Sequence, residues 1–262
     1  MGTLNFSYRM ELIFSQPVSK HQFTLRMLPG TDERQQVESC KIEISPECVL
    51  CEGEDTFGNR YVYGEVEHTH EVFCVEVSGK VTVYSERLIP LKEESELSGY
   101  RYPSRYTKIG DKLREYYNSY PYRQGEDKVS YATGLLHKLY QDIEYKQGVT
   151  DIHTTAEEAL TGGQGVCQDY AHIMIALCRM ADIPARYVVG MMQGEGYSHA
   201  WVEVFANGYW YGMDPTNDRL VNDTYVKISH GRDYQDCIVN RGVFRGMGTQ
   251  TQKVRVVVHS CR

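Results

Sequence analysis

The sequence predicts an α+β protein, in which an N-terminal antiparallel β domain precedes a core of helices packed on an antiparallel sheet. Three observations carry this reading. Residues 3–84 alternate apolar with polar side chains in short runs, the stretch from 108 to 181 has the spacing of helices, and strand patterns return from residue 185 onward.

In the first block, "KIEIS" (41–45), "YVYGEVE" (61–67), "EVFCVEV" (71–77) and "KVTVY" (80–84) read as strands. Turn signals at Pro29-Gly30 and Gly58-Asn59 separate them. This block gives a β domain over residues 1–85. Residues 86–102 lie in "SERLIPLKEESELSGYRYPSRY", which is rich in charge, carries two prolines and keeps no period, so they read as a linker. The core then spans 103–262 and includes a C-terminal strand. Its first half is helical: "KVSYATGLLHKLYQDIEYK" sets Leu135, Leu136, Leu139 and Tyr140 at near-helical spacing. The helix after Cys167 is clearer, with Tyr170, Ile173, Met174, Leu177, Cys178 and Ala181 on one stripe and Asp182-Ile183-Pro184 as its stop. "ARYVVGMM", "SHAWVEVFA", "YWYGMD" and "KVRVVV" read as strands, and neither internal repeats nor low-complexity segments occur.

A chain of 262 residues buries a substantial core without covalent staples. No run approaches the roughly 18 apolar residues of a membrane span. The N-terminal "MGTLNFSYRMELIF" lacks the basic start and cleavage site of a leader, and Phe6 stands where a myristoylation signal wants Ser or Thr. A cytoplasmic location is therefore expected. The net charge of −7 argues against nucleic acid or an anionic membrane as partner, since both are bound by Lys and Arg. Eight cysteines are too sparse for a disulfide scaffold of this size, and most are expected to be small buried apolar groups.

Cys167 is the exception. It stands at the first turn of its helix behind Gly162, Gly163 and Gly165, where free N–H groups and the helix dipole favour a thiolate and can hold an oxyanion. His172 is nearest in sequence, but five residues turn it about 140° away from Cys167. His199 is the better base. Asn207-Gly208 signals a two-residue hairpin loop, so that opposed positions sum to 415 and Asp214 becomes the diagonal neighbour of His199 on the same face. A four-residue loop centred one position earlier gives a sum of 413 and sets the two directly opposite. In either register Asp214 can orient His199 and leave one ring nitrogen for Cys167.

These blocks, "GQGVCQDYAHIMIALCRMADIPARYVVG", "SHAWVEVF" and "MDPTN", resemble the core of the transglutaminase-like superfamily. Residues 4–30 through "DTFGNRYVYGEVE" resemble the β domain that precedes this core in bacterial members, and "HGRDYQDCIVNRGVFRGMG" resembles their tail. The resemblance implies a papain-like fold with Cys167 as nucleophile, His199 as base and Asp214 as its orienting residue. It implies an amide or peptide substrate, an acyl-enzyme resolved by water, and no metal or organic cofactor. Acyl transfer to an amine and a silent protein-binding module are the alternatives. Gln164 and Gln168 are candidates for oxyanion or substrate contacts by proximity alone.

Other chemistries have weaker support. Cys48, Cys51, His68 and His70 offer zinc-ligand types, yet their spacing fits no common zinc module. There is no G-x-S-x-G, and Ser198 points to the strand face opposite His199. "GGQGVCQ" fits neither nucleotide-binding pattern, and no EF-hand loop occurs. The tyrosines of "GYRYPSRY" and "REYYNSYPYR" suit either a peptide groove or packing, with packing preferred.

Overall fold

The structure, a computed structural model, describes residues 1–261. It opens on an unusually long strand, β1 (Gly2–Leu25), followed by β2 (Gln35–Ser45), β3 (Leu50–Glu54), β4 (Arg60–Val66) and β5 (His70–Val83). Even-numbered residues of β1 from Leu4 to Phe14, and then Val18, are buried; from His21 through Phe23 to Leu25 the odd-numbered ones are. The register shifts between Ile13 and Val18, and Lys20 has a positive φ of 48°, so the irregularity turns the strand over once. The first half of β1 thus pairs with β5, the second with β4. The sequence reads β5 as two strands broken at Ser78-Gly79. It runs through because Gly79 faces the register shift of β2 at Val37/Ser39, where a Cβ would meet the Ser39 carbonyl at 2.1 Å.

Residues 86–102, read from sequence as a linker, pack on the core. β6 (Ile89–Pro90) pairs with the strand 209–214 at Tyr209 and Trp210, and a 3-10 turn (Glu94–Leu97) leads into the short α1 (Ser98–Arg101). Ile89, Leu97 and Tyr100 are buried against Trp210. Next come α2 (Asp111–Ser119), α3 (Lys128–Asp142), β7 (Glu144–Tyr145), α4 (Ala156–Gly162), β8 (Gln164–Gly165) and α5 (Cys167–Met180). Leu135, Leu136 and Leu139 of α3 are buried, whereas Tyr140 is half exposed and not a core residue. The stripe predicted on α5 is buried, but so is nearly every other residue of that helix, because it is enclosed between the helices and the sheet.

That sheet comprises β9 (Ala185–Met192), β11 (His199–Ala206), β12 (Tyr209–Asp214), β13 (Arg219–Leu220) and β14 (Tyr225–Gly231), in the order β13-β12-β11-β9-β14 with β6 beside β12; β10 (Gly194–Gly196) leaves it to join the N-terminal sheet. β14 is an edge strand, and side chains of the β domain cap it. The Gln35 amide donates to the Lys227 carbonyl and accepts from its N–H at 2.8 and 2.9 Å; Asn59 does the same at His230 at 2.7 and 2.8 Å. These buried amides satisfy an edge that would otherwise invite pairing with another chain.

After a 3-10 turn (Tyr234–Cys237), β15 (Asn240–Arg245) and β16 (Gln250–Ser260) return to β1 and cover its free side. The sequence division groups residues 240–260 with the core, whereas they belong to the N-terminal sheet. A 24-residue strand has two edges to pair, and the local pattern of β16 does not say which sheet it will join. No helix among the described residues is long and apolar enough to cross a membrane.

Candidate functional site

The approach to Cys167 is shaped by backbone constraints. Gly163 ends α4 in the left-handed conformation at φ 65°, and its N–H donates to the carbonyls of Ala159 and Leu160. β8 then pairs in parallel with β7, and Val166, extended, serves as N-cap of α5. Asp169, buried in the first turn, accepts from Val166 N–H at 2.8 Å and from the Thr150 hydroxyl at 2.7 Å. A Cβ on Gly165 would lie 2.7 Å from that carboxylate, which is why the turn is closed by glycine. Cys167 is the first helical residue, so its N–H has no intrahelical partner, and its thiol is half-buried.

Asn207 and Gly208 have φ values of 51° and 85°, both positive as a type I′ loop requires. The pairs Val202↔Met213 and Ala206↔Tyr209 give the sum of 415, the first of the two registers allowed by the sequence. His199 Nε2 meets Asp214 Oδ2 at 2.7 Å. Asn217 Nδ2 lies 3.4 Å from the same nitrogen, and the Cys167 thiol acts on the ring by hydrogen bonding and charge. Burial pulls the imidazole pKa down, but the hydrogen bonds and charges of Asp214 and Cys167 outweigh it and raise it to about 10. Burial pushes Asp214 up; hydrogen bonds from His199, Asn217 and Tyr225 outweigh that and hold it below the usual carboxylate value.

Sequence reasoning missed the groups that anchor Asp214. Its Oδ1 accepts from the N–H of Thr216 at 3.0 Å and of Asn217 at 3.3 Å, an Asx turn that "DPTN" advertises. Its Oδ2 also accepts from Asn217 Nδ2 and from the Tyr225 hydroxyl, each at 2.7 Å. Tyr225 lies on β14, separated from β12 by two strands of the sheet, and no local pattern joins it to Asp214. Gly190, opposite His199, is a further requirement: a Cβ there would sit 2.2 Å from the Val226 carbonyl and 2.4 Å from the Trp201 ring. Gly190→Ala should therefore cost about 1–3 kcal/mol; a urea melt within about 0.5 kcal/mol of wild type, the range of an ordinary surface change, would contradict this packing.

The remaining candidates lie elsewhere or stand apart. The Gln164 amide is committed to Glu144, while Gln168 is half-buried and makes no side-chain hydrogen bond among the described residues. His172 is fully buried, stacked 5.0 Å from Tyr106, and accepts from Tyr234 N–H at 3.2 Å. Ser198 precedes β11 and makes no hydrogen bond to His199. His68 and His70 do not share a strand face: His68 is exposed ahead of β5, and His70 is buried with its Nε2 3.3 Å from His21 Nδ1. Among the described residues no three His, Cys, Asp or Glu side chains gather in a metal-ligating group.

A thiol at a helix start, facing an imidazole and carboxylate on an antiparallel sheet, defines the class of α+β proteins with a papain-like core. Residues 118–215 match the transglutaminase-like superfamily, and residues 4–82 match the bacterial transglutaminase-like N-terminal region. The chain belongs to the transglutaminase-like superfamily and carries that N-terminal region ahead of the core. A crystal structure of a candidate cysteine protease from Cytophaga hutchinsonii has the same fold, with a TM-score of 0.82 and 24% identity over 100% of this chain and 91% of that one. An uncharacterized protein of Mycobacterium leprae is 35% identical over 126 residues, 44% of this chain and 45% of its own. One from Mycobacterium tuberculosis is 34% identical over 151 residues, 52% of this chain and 48% of its own. The matched region thus spans about half the length of these curated relatives.

Proposed function

We propose that the protein is a thiol-dependent amidase or peptidase acting on an amide or peptide bond. The observation that carries this reading is the His199–Asp214 hydrogen bond at 2.7 Å, on a ring that the Cys167 thiol also acts on by hydrogen bonding and charge. The raised pKa of His199 keeps it an imidazolium at neutral pH, holding the proton that the departing nitrogen needs. The thiolate attacks the carbonyl carbon and the C=O electron pair moves onto oxygen, where the free N–H of Cys167 donates. As the tetrahedral intermediate collapses, His199 gives its proton to the departing nitrogen and a thioester remains. Water then attacks, losing its proton to His199, and the acid product leaves with the thiolate restored. No step in this scheme calls on a metal or organic cofactor. Asp214 takes no proton; five donors on its two oxygens keep it an anion that orients the ring.

The reading is tested by product mass spectrometry on a panel of peptides and glutamine-containing substrates in 18O-labelled water, with and without a primary amine. Hydrolysis places one label in the acid product; an amine adduct without label would replace hydrolysis with acyl transfer. A parallel test needs no substrate. At pH near 6, iodoacetamide should modify Cys167 ahead of the exposed Cys51 and long before Cys178, whose thiol burial pushes up to about 12. If Cys167 reacts no faster than Cys51, the nucleophile assignment fails. All eight cysteines are unpaired, which supports a reducing, cytoplasmic setting.

A further inference from the structure

We propose that Tyr225 and Arg219 are a positioning pair that fixes the Asp214 carboxylate and moderates its pull on His199. The inference rests on the reading of Cys167, His199 and Asp214 as the reactive set, and it assigns neither residue a contact with substrate. Tyr225 is 2% exposed and its hydroxyl donates to the same Asp214 oxygen that holds His199. That hydroxyl is in turn an acceptor: Arg219 Nε donates to it at 2.8 Å, and the guanidinium carbon lies 5.2 Å from the Tyr225 ring centroid. A cation, a hydroxyl, a carboxylate and an imidazole are thereby connected in one line, and each hydrogen bond polarises the next. The Tyr225 ring also packs edge-on against Trp201 at 5.4 Å and lies 6.2 Å from the His199 ring, so the residue that binds the carboxylate also walls the imidazole.

Few charged groups reach His199. Cys167 faces it from α5 and Asp214 from β12; β9 contributes only Gly190 opposite it, and Trp201 and Asn217 are neutral. Tyr225 on β14 and Arg219 on β13 act through Asp214. Every donor on Oδ2 takes a share of the charge available to the imidazole. Removing the Tyr225 hydroxyl leaves that oxygen to His199 and Asn217, so the carboxylate holds the ring proton more tightly. The sign is opposite to that of losing Asp214 itself, and opposite to that of a loosened site.

The test is the titration of the His199 ring by 15N NMR in the full chain, in a Cys167→Ala background where the thiolate no longer contributes. The His199 signal is assigned by its loss in His199→Gln. Tyr225→Phe should raise the midpoint by ~0.5 pH unit, a roughly threefold change in proton affinity, and Arg219→Gln should raise it less. With Cys167 present, Tyr225→Phe should lower kcat about tenfold with KM within about twofold. A midpoint that is unchanged or lower in a folded Tyr225→Phe protein overturns the proposal. Should that variant not fold, Arg219→Gln decides between the two outcomes by the direction of its midpoint. Absence of turnover by the wild-type protein would strike the hydrolase reading and leave the NMR result to judge the pair.

Discussion

Cys167→Ala should eliminate both thiol-dependent turnover and the rapid iodoacetamide adduct, while the protein keeps its wild-type melting behaviour. The thiol is half-buried at a helix start on the margin of the core, so its loss is chemical far more than structural. His199→Ala removes the group that protonates the leaving nitrogen and should lower kcat by on the order of 10⁵ or more; Asp214→Asn should lower it by on the order of 10⁴. The pH profile separates their roles. Asp214 raises the His199 pKa, so the imidazolium survives toward about pH 10 and the falling limb of the rate lies there. In Asp214→Asn that stabilisation is gone and the imidazolium is lost at lower pH, so the limb should move toward neutrality. Near-normal rates in His199→Ala, or a limb that stays in place in Asp214→Asn, would defeat the assignment of acid and orienting residue.

How far this site was legible in the sequence depends on how local each contact is. His199 and Asp214 sit on consecutive strands, and the Asn-Gly loop between them tolerates positive φ at both positions, so a period of two fixes which side chains share a face. Cys167 announces itself by its glycines and the helix that follows. Its approach to His199, however, joins a helix to a strand through tertiary packing, so residue chemistry and the family resemblance pointed to it while no local register could fix it. Tyr225 was invisible because β14 reaches β12 only through two intervening strands, and Arg219, although it pairs with Asp214 across β12 and β13, reaches that carboxylate through the Tyr225 hydroxyl. The fold divides the same way. Alternation in β1 was readable, but not that one strand would serve both halves of a sheet, nor that β16 would cross from the end of the core to complete it. Pro90 and the charges of residues 86–102 masked Ile89, Leu97 and Tyr100, whose partner Trp210 lies far along the chain on β12.

Glu203→Ala is expected to be the most destabilising single change outside the reactive site. Glu203 is 4% exposed and accepts from Arg186 at 2.6 Å and from Lys227 at 2.9 and 3.1 Å. Arg186 also lies over the Trp210 ring, with its guanidinium carbon 4.1 Å from the centroid, and Lys227 reaches Asp32 of the β domain at 3.9 Å. Burial alone would push the Glu203 carboxyl up; the two cations reverse this and hold it at about 2, against 4.5 in the open chain. A folded pKa below the unfolded one is stability present above pH 4.5 and lost as pH falls toward 2, here about 3 kcal/mol. Lys227 is pulled down by burial and by Arg186, so the site keeps a second cation only because Glu203 and Asp32 are there. Removing Glu203 leaves two buried like charges facing each other, which should cost about 3–5 kcal/mol in urea unfolding at neutral pH. The gap to wild type should narrow between pH 4.5 and 2, where the wild-type carboxyl itself takes a proton. Lys227→Met in the Glu203→Ala background should recover part of the loss, because it removes one of the stranded charges. A Glu203→Ala protein within about 1 kcal/mol of wild type, as for an exposed pair, or a double variant less stable than the single one, would mean that water reaches these cations and that the cluster does not hold the β domain to the core.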